Sequence, residues 1–478
     1  MPVKTIRSVI HGQEVASPLP VFDKIYPATG EVIAKVEPAS PQMLDEAVEY
    51  ARQAQKKWAA LAGHERGRIL QNIAQTLRDH NEALSALEVR DVGKLYSEAV
   101  SADVPSGAEA FEFFAALAAT YHGTSHKWSD AIGYTMRVPL GVCAGIGAWN
   151  YPVQVACWKA APALAAGNAF ILKPSEETPL TANMLADLFK IAGLPDGLFQ
   201  VIHGDHHIGQ AICAHRDIAK ISLTGGVDTG KLILAQSAQT LKKVTLELGG
   251  KAPLLVFEDC DFDLAVQTAL DANFYTAGEV CSNATRVFVQ DSIAERFIDA
   301  MREKTKNLVI GDPMQPKTQI GALISDSHLQ NVLGHIRKAE AQGAHILTGG
   351  KQAFPQDSQG GFFIEPTILT GCHDEMDCVR EEIFGPVMSV LTFASEEEAV
   401  SRANNTPFGL GAGIMTRDIS RAHRLADALE AGNIWVNSYN LIPPGLPFGG
   451  SKQSGFGREG SIYALEAYTE VKAVYIQL

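Results

Sequence analysis

The chain has 478 residues, of which 46% are hydrophobic and 20% are charged, and its formal net charge at pH 7 is −14. This length exceeds what a single hydrophobic core usually serves, so we expect two or three substructures. The composition excludes extensive disorder, and the scattered negative charge argues against nucleic acids and anionic membranes as main partners.

Cysteine usage and the first residues of the chain indicate a cytoplasmic protein. The seven cysteines are odd in number and show no C-x-x-C spacing, so we expect neither a disulfide framework nor a metal centre. The N-terminal residues, M-P-V-K-T-I-R-S, lack the apolar core of a secretory signal. The uncharged stretch from Val138 to Trp158 is interrupted by Pro139 and Pro152, which argues against a membrane helix.

Predicted strands and helices alternate from Gly141 onward. The segment V-C-A-G-I-G-A is a predicted buried strand, and Pro152 opens a helix that ends at Gly167. The strand A-F-I-L-K comes next, and a helix that begins at Thr178 and Pro179 leads to L-F-Q-V-I and K-I-S-L-T. This βαβ repetition predicts a parallel, doubly wound sheet.

The alternation restarts after Glu247 and predicts a second α/β unit. Its first elements are the strand A-P-L-L-V-F, a helix from Phe262 to Asn273 and the strand T-R-V-F-V-Q. The segment from Thr124 to Val138 and the C-terminal A-V-Y-I-Q-L are predicted strands with little core of their own. We expect these two segments to pair with each other or with another subunit.

Cys281 is the candidate nucleophile. Most cysteines are small buried hydrophobes, but this one lies beside Gly278 and Ser282 at a transition from loop to strand, where backbone amides can face a developing anion. Glu247 ends the strand V-T-L-E-L and is the candidate general base. The alternative for Glu247 is a solvent-facing carboxylate paired with Lys251.

The turn L-T-G-G-V-D-T-G-K-L, which contains Gly225, Gly226 and Gly230, follows a strand and opens a helix. Its amides and the helix dipole predict an anion site with a phosphate group as the natural ligand. The turn resembles a Walker A loop, but Leu232 occupies the position where Ser or Thr must ligate magnesium. It also lacks the G-x-G-x-x-G fingerprint, so this turn alone does not identify a cofactor.

Seven motifs occur together in one order along nearly the whole chain. They are W-N-Y-P at Trp149, K-P-S-E at Lys173, L-T-G-G-x-x-x-G, E-L-G-G-K, G-E-V-C, E-E-I-F-G-P at Glu381 and P-F-G-G-S-K-x-S-G-F-G-R-E at Pro447. With these motifs the chain resembles the aldehyde dehydrogenase superfamily. Within that superfamily it is most similar to the betaine-aldehyde and aminoaldehyde dehydrogenases.

The resemblance implies a fold with three parts. Residues 1–123 and 142–248 would form a Rossmann-like NAD-binding domain, and residues 249–447 a second α/β domain that carries the catalytic cysteine. Residues 124–141 and 448–478 would form a small β oligomerisation segment in a homodimer or homotetramer.

The resemblance also implies a mechanism. Cys281 would attack the aldehyde carbonyl, the side-chain amide of Asn150 and the Cys281 backbone amide would hold the oxyanion, and hydride would pass to NAD. Glu247 would then activate the water that hydrolyses the thioester. Lys159 and Glu459 match a proton path to this base, and an ordinary ion pair is the alternative.

Ten residues match cofactor-binding positions of the family. They are Trp149, Lys173, Ser175, Glu176, Gly225, Gly226, Gly230, Leu248, Glu382 and Phe384. Lys173 and Glu176 match contacts to the adenosine ribose, and Glu382 and Phe384 match contacts to the nicotinamide ribose. Because Glu176 would repel a 2′-phosphate, we expect a preference for NAD over NADP.

Four aromatic residues match positions at the aldehyde entrance. They are Tyr151, Trp158, Tyr275 and Phe448. Together they predict a cage that binds a cationic aldehyde by cation–π attraction, with Asp103 adding charge attraction. In the alternative, the rings line an apolar tunnel of a general aliphatic or semialdehyde dehydrogenase.

Two residues depart from the family pattern. Gly226 replaces the usual serine of the phosphate loop and so lacks a hydroxyl donor. Glu279 replaces the usual glutamine two residues before the nucleophile, and an unpaired charge there would raise the pKa of the Cys281 thiol. Because of these departures, a second functional class remains an alternative, namely a catalytically impaired binding or scaffold protein with the same fold.

Overall fold

The structure is a computed structural model that describes residues 4–358 and 360–478. It contains two large, mostly parallel sheets covered by helices, so the predicted α/β class with two such units is confirmed. Within the described ranges, no helix combines the length and the apolar character needed to cross a bilayer.

The first large sheet has eight strands. In spatial order they are Gly455–Phe456, Lys243–Glu247, Ile218–Thr224, Val142–Ile146, Ala169–Lys173, Phe199–Val201, Ser8–Ile10 and Gln13–Val15. The five central strands are parallel, as the βαβ pattern predicts, whereas the outer pairings are antiparallel. Every residue of Val142–Ile146 and of Ala169–Lys173 is buried, which explains their continuous apolar sequence.

Helices from the first half of the chain surround this sheet. They are Pro41–Ala60, Gly63–Asp79, Asn81–Val92, Tyr96–Glu98, Val104–Ala118, Pro152–Ala165, Leu180–Ile191, His206–Ala214 and Val227–Ser237, with the π-helical turn Ala99–Asp103 and the 3-10 turn Ala238–Thr240. The helix Pro152–Ala165 is almost entirely buried and carries a single charged residue, Lys159. It begins at Pro152 because proline lacks the N–H that a first helical residue leaves unused.

The second large sheet has seven strands. In spatial order they are His345–Thr348, Thr367–Thr370, Val387–Phe393, Arg286–Gln290, Pro253–Val256, Gly411–Met415 and Asn433–Val436. Its helices are Phe262–Phe274, Ala294–Lys306, Asp326–Ala341, Asp377–Arg380, Glu396–Asn404 and Ile419–Ala428, with 3-10 turns at Tyr275–Gly278 and Asp291–Ile293. A core separate from that of the first sheet fills this unit.

A small three-stranded sheet joins the two segments that were predicted to have little core of their own, Thr124 to Val138 and the C-terminal A-V-Y-I-Q-L. Its strands are Thr469–Gln477, Ala131–Pro139 and Ser125–Lys127, and the first two pair antiparallel over their full length. The expectation that these segments pair with each other is therefore confirmed. Several large apolar side chains remain exposed on them, namely Trp128, Met136, Val471, Tyr475 and Ile476.

The remaining elements are short. A second three-stranded sheet contains Lys4–Ile6, Glu31–Val36 and Phe22–Tyr26. Two-stranded pairs join Gln352–Ala353 to Phe363–Ile364, and Phe408–Gly409 to Ser451–Lys452. The helix Ser461–Ala467 leads into the last strand.

Candidate active site

A cleft of about 650 Å³ lies where the two large units meet. One wall is formed by the carboxyl ends of four parallel strands of the first sheet, including Asn150, Lys173, Gly225 and Glu247. The opposite wall comes from the second unit and contains Cys281. Ligands of open α/β sheets bind at this edge of the strands, so the cleft is the candidate active site.

Cys281 follows a tightly turned segment of the second unit. The backbone at Gly278 has φ of 78°, and a Cβ atom there would lie 2.2 Å from the backbone of Gly385, so only glycine fits. Burial raises the pKa of the Cys281 thiol to about 12, and the carboxylates of Glu382 and Glu247 act in the same direction. The thiol is therefore protonated at rest and needs a base before it can attack.

Asn150 lies across the cleft from the nucleophile segment. Its side-chain Nδ2 donates a hydrogen bond of 2.8 Å to the backbone carbonyl of Glu279. This bond uses one of the two Nδ2 hydrogens, and the second is available to a ligand at the cleft. The structure thus brings together the two groups expected to hold an oxyanion, the Asn150 amide and the segment that ends at Cys281.

Glu247 is buried at the end of its strand and lines the same cleft. Neither carboxyl oxygen accepts a hydrogen bond from the described residues. Burial, followed by the nearby charge of Glu459, raises the pKa of Glu247 well above its usual value. A Cβ atom at Gly449 would lie 2.7 Å from Glu247 Oε1, so glycine at this position leaves room for the carboxyl.

Lys159 and Glu459 form a buried ion pair close to this carboxyl. Lys159 Nζ lies 2.5 Å from Glu459 Oε1 and donates a hydrogen bond of 3.0 Å to Ser222 Oγ. The Ser222 hydroxyl in turn donates to Glu459 over 3.1 Å. Both the predicted proton path and the alternative of an ordinary ion pair are compatible with this arrangement.

Eight of the ten residues matched to cofactor positions line the cleft. They are Trp149, Lys173, Ser175, Glu176, Gly225, Gly226, Glu382 and Phe384. The other two, Gly230 and Leu248, pack against each other beneath the surface. A Cβ atom at Gly230 would lie 2.8 Å from a Leu248 methyl carbon, so the close contact requires glycine. These two residues shape the helix–strand contact under the cleft.

Gly226 precedes the helix Val227–Ser237 at the cleft. A Cβ atom built there meets nothing within 4 Å. The missing hydroxyl of the family's serine therefore leaves open space at the helix N-terminus, which no side chain of the described residues fills.

Glu382 is fixed at the second wall. Its Oε1 accepts a hydrogen bond of 2.9 Å from the Gly250 amide, and burial raises its pKa to about 7. A Cβ atom at Gly249 would lie 2.0 Å from this carboxylate, which explains the glycine in E-L-G-G-K.

The four predicted aromatic residues do not converge. Trp158 and Phe448 pack edge to face with ring centroids 5.7 Å apart, and both belong to an apolar cluster that contacts Cys281. The face of Tyr151 is covered by Lys94, whose Nζ lies 3.5 Å from the ring centroid. Tyr275 lines a separate depression beside Glu98.

The expectation for Asp103 needs correction. This residue is fully buried, and its carboxylate contacts the ammonium of Lys94 instead of facing the entrance. The sequence offered no signal that Lys94, nine residues before Asp103, contacts this carboxylate.

Glu279 is also placed differently from the expectation of a charge near the thiol. Its carboxyl is buried and accepts a hydrogen bond of 3.0 Å from the Ile324 amide. The carboxylates that raise the pKa of Cys281 are instead Glu382 and Glu247.

The sequence interpretation missed several residues at the site. Trp435, Tyr439 and Ile442 complete the apolar cluster around Phe448 and Cys281. The Tyr439 hydroxyl donates a hydrogen bond of 2.8 Å to the Ser282 carbonyl, next to the nucleophile. The run I-W-V-N-S-Y-N, which begins with apolar residues and carries two aromatic residues, was the available signal.

His328 is a further missed residue at the cleft. Its ring lies 5.5 Å from that of Trp149, and its Nε2 bonds the Phe384 carbonyl at 2.7 Å. His328 thereby fixes two residues on opposite walls. It lies on a helix without a recognised motif, so the sequence offered no signal for it.

Comparisons with known proteins agree with this site. A sequence profile of the aldehyde dehydrogenase family matches residues 15–474. A betaine aldehyde dehydrogenase from Rhizobium leguminosarum bv. trifolii is 52% identical over 458 residues, which cover 95% of this chain and 94% of the relative. A betaine aldehyde dehydrogenase from Vibrio vulnificus is 51% identical over 458 residues, covering 96% of this chain and 94% of the relative.

Solved structures show the same fold. The NAD+ complex of an aldehyde dehydrogenase from Bacillus cereus has a TM-score of 0.97 at 39% identity, covering 99% of this chain and 97% of that chain. Betaine aldehyde dehydrogenase from Staphylococcus aureus, in complex with NAD+, has a TM-score of 0.96 at 36% identity, covering 98% of this chain and 95% of that chain. Together, the geometry of Cys281, Asn150 and Glu247, the family profile and these relatives show that the chain belongs to the aldehyde dehydrogenase family.

Proposed function

We propose that this protein oxidises a cationic aldehyde, betaine aldehyde or an ω-aminoaldehyde, to the carboxylic acid with NAD as the oxidant. The observation that carries the proposal is the convergence of Cys281, Asn150 and Glu247 on one cleft. The relatives of about half-identical sequence are betaine aldehyde dehydrogenases, which favours this substrate over a neutral aldehyde.

The cleft fits NAD. Its volume of about 650 Å³ is in the range of small-molecule and cofactor sites. The helix that begins at Val227, preceded by Gly226, offers backbone amides to a pyrophosphate, with open space beside them. Lys173 and Glu176 would hold the adenosine ribose, and Glu382 and Phe384 the nicotinamide ribose. Bound NAD would supply the hydride acceptor for the oxidation.

The residues of the chain supply the covalent chemistry. Glu247 takes the proton of the Cys281 thiol, the thiolate adds to the aldehyde carbonyl, and the Asn150 amide together with the Cys281 backbone amide stabilises the resulting oxyanion. After the hydride has left, the acyl group remains bonded to the Cys281 sulfur as a thioester. Glu247, having released the thiol proton, then takes a proton from the water that hydrolyses this thioester, and the ion pair of Lys159 and Glu459 would carry that proton away.

Recognition of the cation is assigned to the aromatic cluster beside the thiol. Trp158 and Phe448 from the sequence prediction, with Trp435 and Tyr439 added, pack in one cluster with Cys281. Aromatic faces attract an ammonium group without the desolvation cost of a buried carboxylate. Tyr151 contributes its hydroxyl contact to Thr276, because Lys94 already covers its ring.

We also propose the domain division and assembly that the resemblance implies. Residues 1–123 and 142–248 would bind NAD, residues 249–447 would carry the nucleophile, and 124–141 with 448–478 would bridge subunits. The exposed apolar side chains of the small sheet, among them Trp128 and Tyr475, support a homodimer or homotetramer. The seven cysteines all have free thiols, which supports a cytoplasmic location.

A panel of aldehydes tests the proposal through NADH formation at 340 nm. We expect betaine aldehyde and ω-aminoaldehydes to have higher kcat/KM than neutral aldehydes of equal length. Equal kcat/KM values for cationic and neutral aldehydes would indicate a general aliphatic aldehyde dehydrogenase instead. The absence of NADH formation with every aldehyde would contradict the proposed activity itself.

A further inference from the structure

The segment before the nucleophile has a strained backbone. Thr276 and Ala277 both have φ of 49°, a region that residues other than glycine rarely adopt. Such a conformation persists only where surrounding contacts hold it. Cys281 follows five residues after Thr276, so the contacts that hold Thr276 also restrict the position of the thiol.

Glu98 makes the contacts that hold Thr276. Its Oε1 accepts the Thr276 backbone N–H at 3.0 Å, and its Oε2 accepts the Thr276 hydroxyl at 3.2 Å. The Tyr151 hydroxyl lies 2.8 Å from Thr276 Oγ1 and donates to it, since the threonine proton is used toward Glu98. The carboxylate therefore binds both the main chain and the side chain of one strained residue.

An unusual helical turn presents this carboxylate. Glu98 is directly followed by the π-helical turn Ala99–Asp103 within a continuous helical segment. In a π turn the backbone hydrogen bond joins residues five apart instead of four. Glu98 and Asp103, which are five residues apart, therefore lie more nearly on the same face of the helix than they would in an α-helix. Lys94, fully buried, contacts Asp103, and its Nζ lies against the Tyr151 ring.

The same cluster is connected to the oxyanion donor. Tyr151 directly follows Asn150, whose Nδ2 bonds the Glu279 carbonyl. Two adjacent residues of the first unit thus hold the nucleophile segment at Thr276 and at Glu279. Both attachment points lie within five residues of Cys281.

We propose that Glu98 is a positioning residue for the nucleophile. Its carboxylate fixes the strained backbone at Thr276 and Ala277, and thereby sets the Cys281 thiol against the Asn150 amide. The inference rests on the proposed role of Cys281 and assigns Glu98 no contact with substrate or cofactor.

Two substitutions at Glu98 separate positioning from simple loss of a carboxylate. Glu98→Ala removes both bonds to Thr276. Glu98→Gln retains an oxygen for the Thr276 amide, and its NH₂ group can donate to Thr276 Oγ1 while the threonine proton turns toward Tyr151. We expect Glu98→Ala to lower kcat by about tenfold or more with KM for NAD changed by less than about twofold, and Glu98→Gln to restore most of the activity. Glu109→Ala, at an exposed glutamate on the next helix, is the matched control and should match the wild type.

Hydrogen–deuterium exchange of residues 275–281 gives a second readout that does not depend on turnover. We expect faster exchange in Glu98→Ala and near wild-type exchange in Glu98→Gln and Glu109→Ala. If Glu98→Ala does not fold, Thr276→Val, which replaces the hydroxyl by a methyl group, should show a smaller change in the same direction.

The proposal is overturned if a folded Glu98→Ala variant has wild-type kcat, or loses activity without any change in the exchange of this segment. A wild-type protein that oxidises no aldehyde would instead contradict the proposed function. The exchange comparison would still decide the role of Glu98 in that case.

Discussion

The two sides of Cys281 are formed by different types of residue. On one side lies the wide cleft, formed by strand ends, glycines and charged side chains such as Lys173 and Glu382. On the other side, the thiol contacts a compact cluster of aromatic rings that includes Phe448 and Trp435. The first surface suits a ligand that is recognised by backbone amides and charges, and the second suits a small ligand that is recognised by shape and π-faces.

This difference separates chemistry from specificity. The proposed reacting residues, Cys281, Asn150 and Glu247, all line the cleft, and Cys281 also contacts the aromatic cluster. Substitutions of these three residues should therefore cause the largest loss of turnover. Substitutions of other cleft residues should change the use of the cofactor, and substitutions in the aromatic cluster should change the choice of aldehyde. The following predictions test this division from the largest expected effect to the smallest.

Cys281→Ala should reduce turnover to below about 0.1% of the wild type, because the variant has no nucleophile. The affinity for NAD should change by less than about twofold, since the cofactor side of the cleft is untouched. Steady-state NADH formation and calorimetric titration with NAD measure the two quantities. Turnover near that of the wild type would show that the thiol is not the nucleophile.

Glu247→Gln should lower kcat by about 10² to 10⁴-fold, the usual loss when a general base is removed. The pKa of Glu247 is raised, so its proton must leave before it can act as a base, and wild-type kcat should rise as the pH rises through this pKa. In Glu247→Gln the rise through this pKa should disappear, and only the increase at higher pH that follows ionisation of the Cys281 thiol should remain. A pH profile with the same rise in both proteins would assign the ionisation to another group.

Trp158→Ala should lower kcat/KM for betaine aldehyde relative to a neutral aldehyde of equal length. A loss of about 0.5 to 2 kcal/mol of cation–π attraction corresponds to a ratio changed by about two- to thirtyfold. Trp158→Phe keeps an aromatic face and serves as the control. If Trp158→Ala leaves the ratio unchanged, the aromatic side does not recognise the cation.

Glu176→Gln should improve the use of NADP relative to NAD, by roughly tenfold, because the repulsion of a 2′-phosphate is removed. The side chain is about half exposed and lies 3.4 Å from Lys173 Nζ, which then becomes free to bind the phosphate. Glu177→Gln, the neighbouring carboxylate, is the control. Equal efficiency with NAD and NADP in the wild type would already refute the predicted preference.

Gly226→Ser should tighten NAD binding by about two- to tenfold, the value of one added hydrogen bond. The open space at this position admits the side chain without a clash. Gly226→Ala adds a methyl group without a donor and should leave the dissociation constant near that of the wild type. Equal effects of the two substitutions would show that the hydroxyl is not the cause.

The cofactor side was predictable from the sequence for a physical reason. Parallel strands place their carboxyl ends at one edge, so short motifs after successive strands, such as those at Lys173 and Gly225, meet there without further information. Eight of the ten matched residues line the cleft accordingly. Gly230 and Leu248 belong to the same motifs but serve packing beneath it.

The aldehyde side was less predictable because its residues come from distant segments. Trp158 lies on a helix of the first unit, Trp435 lies in the last strand of the second sheet, and Tyr439 follows that strand. The match of Tyr151 and Trp158 to positions at the aldehyde entrance could not show that Lys94 covers the Tyr151 ring. The Glu98 contacts were equally hidden, since they depend on a π-helical turn that no local sequence pattern announced.

The most direct test of the covalent account uses Glu247→Gln, in which hydrolysis of the thioester is slowed. The variant is mixed with betaine aldehyde and NAD at alkaline pH, where some thiol ionises without the base, then quenched with acid and digested for mass spectrometry. We predict that the peptide containing Cys281 gains the mass of the acyl group, that NADH forms in equal amount, and that neither occurs without NAD. Formation of NADH with an unmodified Cys281, or acylation at another residue, would contradict the central claim.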